Sequence, residues 1–159
     1  MEGVFQQAYK RPESVLVVVH TPTAVLLLHR RDQTGFWQSV TGSLDWTDTD
    51  PRVAAVRELR EETGLAVEPA AVADLALTHR YPIVPPWRAR YAPDVVENTE
   101  YAFALALPQP APIVVSGEHD AAEWVPYADA VARVASWTNR AAIERVYSRG
   151  AGDRGPKRA

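Results

Sequence analysis

Two apolar runs, Ser14 to His20 (SVLVVVH) and Ala24 to His29 (AVLLLH), are separated only by Thr21-Pro22-Thr23. β-Branched and leucine-rich runs of this length, broken by turn-forming residues, predict a paired and mostly buried hairpin. Phe36 to Thr41 is a third candidate strand, ending at Gly42. The period then changes. Val53, Val56 and Leu59 recur at every third position, Pro51 suits a first helical turn, and Gly64 stands where a helix stops, so a helix is predicted over 51–63. Val72 to His79 and Glu100 to Leu107 are two more strands, joined by a connection too long for a hairpin turn that carries Pro82, Pro85, Pro86 and Pro93. Ala122 to Val125 is a last strand, and Tyr127 to Ala135 and Asn139 to Tyr147 are alanine-rich with helical spacing. The expected organisation is one α/β domain over 1–149, without repeats or linkers, and a polar tail over 150–159, GAGDRGPKRA, that has no core of its own and is expected to be disordered.

Composition excludes several classes of function. Seventeen Lys and Arg against twenty Asp and Glu leave a net charge of −3 in 159 residues that are 47% hydrophobic, as in an ordinary globular domain. There is no cysteine, which removes thiolate catalysis, disulfides and Cys-rich zinc sites together. The longest apolar run, Tyr101 to Leu107, is far short of the roughly 20 residues a membrane helix needs. The N-terminal MEGVFQQAYKRPES lacks the pattern of a secretory signal, so a cytoplasmic protein without a membrane partner is expected. A mildly acidic chain gives little reason to expect a nucleic-acid backbone as a partner. Any anion it binds must be met by a local cluster.

The stretch Arg57-Glu58-Leu59-Arg60-Glu61-Glu62-Thr63-Gly64-Leu65 carries the chemistry. With Glu58 set at about 0° on a helical wheel, Glu61 falls at about 300° and Glu62 at about 40°, while Leu59, Val56 and Val53 fall at about 100°, 160° and 220°. The acids are thus expected on one face and the aliphatic stripe on the other. Carboxylates at these spacings lie within about 6 Å and repel by roughly 3 kcal/mol at an effective dielectric of 20. A divalent cation reverses that sign, and oxygen ligands are what Mg²⁺ takes. The competing reading is a solvated face on which Arg57 and Arg60 pair with the acids.

Arg57, Glu58, Leu59, Glu61, Glu62, Gly64 and Leu65 resemble, position for position, the helical half of the Nudix box, G-x5-E-x7-R-E-U-x-E-E-x-G-U with U aliphatic. The front half departs from it: Gly42 to Arg57 is one residue longer than the pattern, and Asp48 or Asp50 stands in for the first glutamate. Segments outside the box resemble those Nudix members that act on dihydroneopterin triphosphate in folate synthesis. They are Tyr9 to Pro12, Arg30 to Asp32, Phe36 to Ser43, Arg90 to Pro93, Asn98 to Glu100, Glu118-His119 and Ser136 to Arg140.

The resemblance implies an α/β/α sandwich around a mixed β-sheet with a catalytic loop-helix-loop. It further implies Mg²⁺-dependent hydrolysis of 7,8-dihydroneopterin triphosphate to the monophosphate and pyrophosphate, with Mn²⁺ a possible substitute. Carried over by position, Glu58, Glu62 and Glu118 hold the metal. Lys10, Arg30, Thr41, Tyr81, Pro82, Ile83, Val84, Glu118 and Ser136 contact substrate, and Glu61 and Glu118 are candidates for the general base. Two alternatives remain: a nucleoside triphosphate or dinucleoside polyphosphate hydrolase, and a non-catalytic ligand sensor, which would be expected to lose box acids. Arg80, Arg88 and Arg90, interleaved with Tyr81, Trp87 and Tyr91, read either as a wall over the substrate or as a loop packed on the sheet. Of the scattered histidines, His119 alone is placed to orient Glu118.

Overall fold

The computed structural model describes residues 8–154, with side chains to 148. Seven strands, β1 Glu13–His20, β2 Val25–Arg30, β3 Trp37–Gln38, β4 Val40–Ser43, β5 Val72–Pro82, β6 Glu97–Ala106 and β7 His119–Val125, form one mixed sheet. The helices are α1 Pro51–Thr63, the single turn α2 Pro85–Arg88, α3 Tyr127–Arg133 and α4 Trp137–Arg154. The start of the expected tail therefore lies on the end of α4, and 155–159 fall outside the described residues.

β1 is the centre of the sheet, and its alternation explains the layers. Val15, Val17 and Val19 pack with Leu26, Leu28 and Val40 under Ala54, Ala55 and Leu59 of α1. Leu16 and Val18 pack with Val25, Leu27, Ala102 and Ala104 against Ala142, Ile143 and Val146 of α4. A strand buried on both faces has no polar side to alternate with, which is why its sequence is a continuous aliphatic run.

The hairpin differs from its expectation. β1 and β2 meet only beside the turn, at His20 and Val25. Further along, β1 pairs with β4 instead, from Val17 with Val40 to Ser14 with Ser43, and β2 leaves to pair with β7 and β3. On its other edge β1 runs parallel to β6. β5 and β6 pair over ladders longer than their apolar runs, which leaves the proline-rich connection, 83–96, to carry α2.

α1 has the predicted boundaries for the predicted reasons. Asp50 is the N-cap, its Oδ1 accepting from the Arg52 amide at 2.9 Å, Pro51 opens the first turn, and Gly64 closes the last at φ 79° with its N–H on the Arg60 carbonyl. The rotation of the helix needs correcting. Val53 is 49% exposed, and the buried face is made by Ala54, Ala55, Leu59, Glu62 and Thr63. The alanines, too small to mark a stripe by hydropathy, are what let α1 approach the sheet.

Candidate active site

The correction at α1 bears directly on the acids. Glu62 is 3% exposed, in the middle of the packed face, and Glu61 is exposed on the far side. Glu58 lies between them and shares a hydrogen bond with Glu62. Burial first, then contact with Glu58 and the nearby charge of Glu118, pushes the Glu62 carboxyl far above the carboxylate range, against one weakly opposing amide, that of Thr41 at 3.4 Å. Glu58 is raised as well, chiefly by burial, with Glu61 and Glu118 adding repulsion. Two carboxyl groups pressed together away from water share a proton unless a cation replaces it.

Gly42 is part of this arrangement. A Cβ there would collide with Cγ, Cδ and Oε1 of Glu58, so the glutamate reaches the site only across a residue without a side chain. The loop from β4 to α1 is fixed by arginines. Arg57 donates to both Asp48 oxygens at 3.1 and 2.9 Å, and Arg11 donates to the Asp45 and Asp48 carbonyls at 2.8 Å each. Of the two aspartates considered for the missing glutamate, Asp48 is therefore the partner of Arg57 and Asp50 the helix cap. Neither is turned to the acid pair.

Around the acids stand residues from distant parts of the chain. Glu118 is exposed on the loop before β7, whose carbonyls at Gly117 and Glu118 each accept from Arg31 at 3.0 Å. Arg30, at the end of β2, is paired with Asp32 and lies between the rings of Phe36 and Trp87, 5.9 Å from each. That pairing, opposed by partial burial, raises its already high pKa, with Glu118 and Glu62 adding smaller pulls. Lys10 donates its amide to the Arg90 carbonyl at 2.8 Å and lays its amine 5.7 Å over the Tyr91 ring. Partial burial of that amine and the nearby Arg90 and Arg30 hold it below the lysine range, against Glu118 and Glu58. The arginine- and aromatic-rich connection thus contacts both Lys10, through Arg90 and Tyr91, and Arg30, through Trp87.

The other transferred residues are more scattered. Thr41, on β4, also takes a 3.4 Å hydrogen bond from Gln38, whose amide contacts His119 Nε2 at 3.0 Å. His119 is buried and turned to Gln38 rather than to the Glu118 carboxylate, which corrects its expected part. Tyr81 and Pro82 end β5, Ile83 is buried, and Val84 is exposed before α2. Ser136 caps α4, accepting from the Asn139 amide at 3.1 Å. Gln38 and Asn98, both buried polar residues, were not singled out for any role. A polar residue in an apolar run is the signal that could have found Gln38, which follows Phe36-Trp37.

The oxygen-only donor set suits a hard divalent ion. Among the described residues no three His, Asp or Glu close around one point. Mg²⁺ takes one or two carboxylates together with phosphate oxygens and water. No helix among the described residues is long and apolar enough to cross a membrane.

Residues 10–146 match the family described as the NUDIX domain. The chain is 45% identical over 143 residues to the dihydroneopterin triphosphate diphosphatase of Escherichia coli K12, covering 87% of this chain and 94% of that one. It is 36% identical over 141 residues to the protein of the same name from Haemophilus influenzae, covering 86% and 88%. The solved E. coli dihydroneopterin triphosphate pyrophosphohydrolase superposes with a TM-score of 0.78 at 44% identity, over 87% of this chain and 96% of that one. With the acid pair on α1 and the glycine beneath it in place, the chain belongs to the Nudix hydrolase family.

Proposed function

We propose that this protein hydrolyses 7,8-dihydroneopterin triphosphate to dihydroneopterin monophosphate and pyrophosphate. The observation that carries the reaction is the Glu58–Glu62 pair, half-buried and buried, with carboxyls pressed together and only Glu58 reached by a cation, Arg57 at 3.8 Å, in a site flanked by Lys10 and Arg30. The substrate comes from the likeness to the E. coli and H. influenzae enzymes, which extends across the domain and not only the box.

Release of pyrophosphate together with a monophosphate places attack at the α-phosphorus. Water adds there as the bond from that phosphorus to the bridging oxygen breaks, and the leaving oxygen carries the charge away on pyrophosphate. Mg²⁺, with Mn²⁺ as a substitute, would be held by Glu58 and Glu62 with Glu118 beside them, supplying positive charge for the phosphate oxygens and acidity for the attacking water. Lys10 and Arg30 bind the triphosphate and hold it in line. Of the two candidates for the base, Glu118 lies near Glu58, Glu62, Lys10 and Arg30, whereas Glu61 stands exposed beside Glu58 on α1. That supports Glu118 as the group that takes the proton from water.

Pyrophosphate release tests the reading. Dihydroneopterin triphosphate is expected to show a higher kcat/KM than dATP or dGTP, with turnover requiring the divalent ion. Equal efficiency on the three demotes the protein to a general nucleotide pyrophosphohydrolase, and no metal-dependent release on any of them overturns the hydrolase reading.

A further inference from the structure

A second set of buried polar side chains lies on the α4 face of the sheet. Glu100 of β6 sits between Ser14 of β1 and His79 of β5, and Asn98 opposes Tyr81. Two residues beyond Glu100, Ala102 is in the core under α4, which fixes the face. Glu100 is 5% exposed and, among the described residues, has no ion pair. Its carboxylate accepts from the Tyr81 hydroxyl at 3.4 Å and from the hydroxyl of Thr138 at the start of α4. Thr138 contacts the Ser136 hydroxyl at 3.3 Å.

Asn98, 4% exposed, spends its amide N–H groups on Ser14 at 2.8 Å and Tyr81 at 2.9 Å and leaves its buried Oδ1 without a partner. The Nδ1 of His79 is likewise buried and unpartnered, and its ring stands edge-on to Trp137 at 4.7 Å, while Trp137 itself is 55% exposed. Of three such unpartnered atoms among the described residues, two are therefore in this patch. Unsatisfied buried groups are rare enough to ask for a ligand.

The chemistry of that ligand follows from the surplus. A carboxylate offers about four lone-pair sites, of which Tyr81 and Thr138 use two. What remains on Glu100, with Asn98 Oδ1, can only accept. The complement is a neutral ring edge that carries an amino group beside a ring N–H, next to a flat exposed indole on which a heterocycle can lie. Pterins and guanine have that edge. Adenine does not.

We propose that Glu100 is the specificity-determining residue for the heterocycle, its carboxylate accepting the ring N–H and the adjacent amino group of the substrate. The inference rests on the triphosphate hydrolase reading and extends it from the phosphate chain to the ring. Glu100→Gln keeps the shape but turns one acceptor into a donor facing donors. It is expected to lower the ratio of kcat/KM for dihydroneopterin triphosphate, and for dGTP, over that for dATP by about tenfold or more, chiefly through KM. Glu100→Asp keeps the charge but draws it back by one methylene. It is expected to lower the same ratios by less, and it decides the matter if the glutamine variant does not fold. Unchanged ratios in both variants, or a parallel loss on all three substrates, overturn the proposal. A wild type that prefers dGTP to dATP through Glu100, but not the pterin, upholds this inference and overturns the pterin assignment; a wild type that prefers neither overturns both.

Discussion

At Glu62 a carboxylate occupies a position that packing would give to leucine, next to a second carboxylate and with only one weak amide bond to offset the burial. Such a group destabilises the metal-free protein and stabilises a cation complex, and the two effects can be separated. Glu62→Gln removes the repulsion while keeping the volume. In chelator its melting temperature should equal or exceed that of the wild type by a few degrees, and the stabilisation by added Mg²⁺ should vanish together with metal-dependent turnover. A large loss of stability in chelator would mean that Glu62 serves the fold rather than the ion. The sequence showed the acids and their spacing but misjudged their environment. Hydropathy places a glutamate outside, and the proposed metal-holding role is what would account for one inside.

Within the loop and helix that carry the box, the Asp48–Arg57 pair sets a pH dependence. The hydrogen bonds from Arg57 hold the Asp48 carboxyl below the ordinary aspartate range, outweighing its partial burial. A carboxyl lowered on folding contributes stability that is full above its unfolded value, about 4, and is lost as the pH falls through the folded one. Thermal melts between about pH 5 and 3 should therefore show a shallower acid decline in Asp48→Asn than in the wild type. Identical slopes would leave the pair without a thermodynamic role. The ends of α1 were legible because Asp50, Pro51 and Gly64 act locally. Its rotation was not, since Ala54 and Ala55 face the core without announcing it while Val53 lies in water. Asp48 and Asp50 look interchangeable in a string of polar residues. Only the reach of Arg57 separates them.

For the molecule as a whole, Asn139, at the start of α4, is a joint between helix and sheet. Its Oδ1 accepts the Ser39 amide at 2.8 Å and its Nδ2 donates to the Ser39 hydroxyl at 2.9 Å, tying the helix to the break between β3 and β4. Asn139→Ala strands a buried N–H and should cost about 1–3 kcal/mol, which denaturant melts would measure. It should also raise KM for the heterocycle substrate more than it changes Mg²⁺ affinity, because the helix start rather than the acid pair loses its anchor. Strands and helices along this chain could be read from their periods. The switch of β1 from β2 to β4, which brings residues numbered 10, 30, 41, 62 and 118 toward one end of the sheet, could not. It depends on pairing choices among strands of similar composition.

The parallel partnership of β1 with β6 also sets an order of events during synthesis. Val15 to Val19 leave the ribosome long before residues 101–105 exist to pair with them. Until then a valine ladder without its neighbour is open to other chains. Truncations ending before β6 should aggregate rather than accumulate as soluble fragments, and demand for chaperones should be concentrated in that interval of translation.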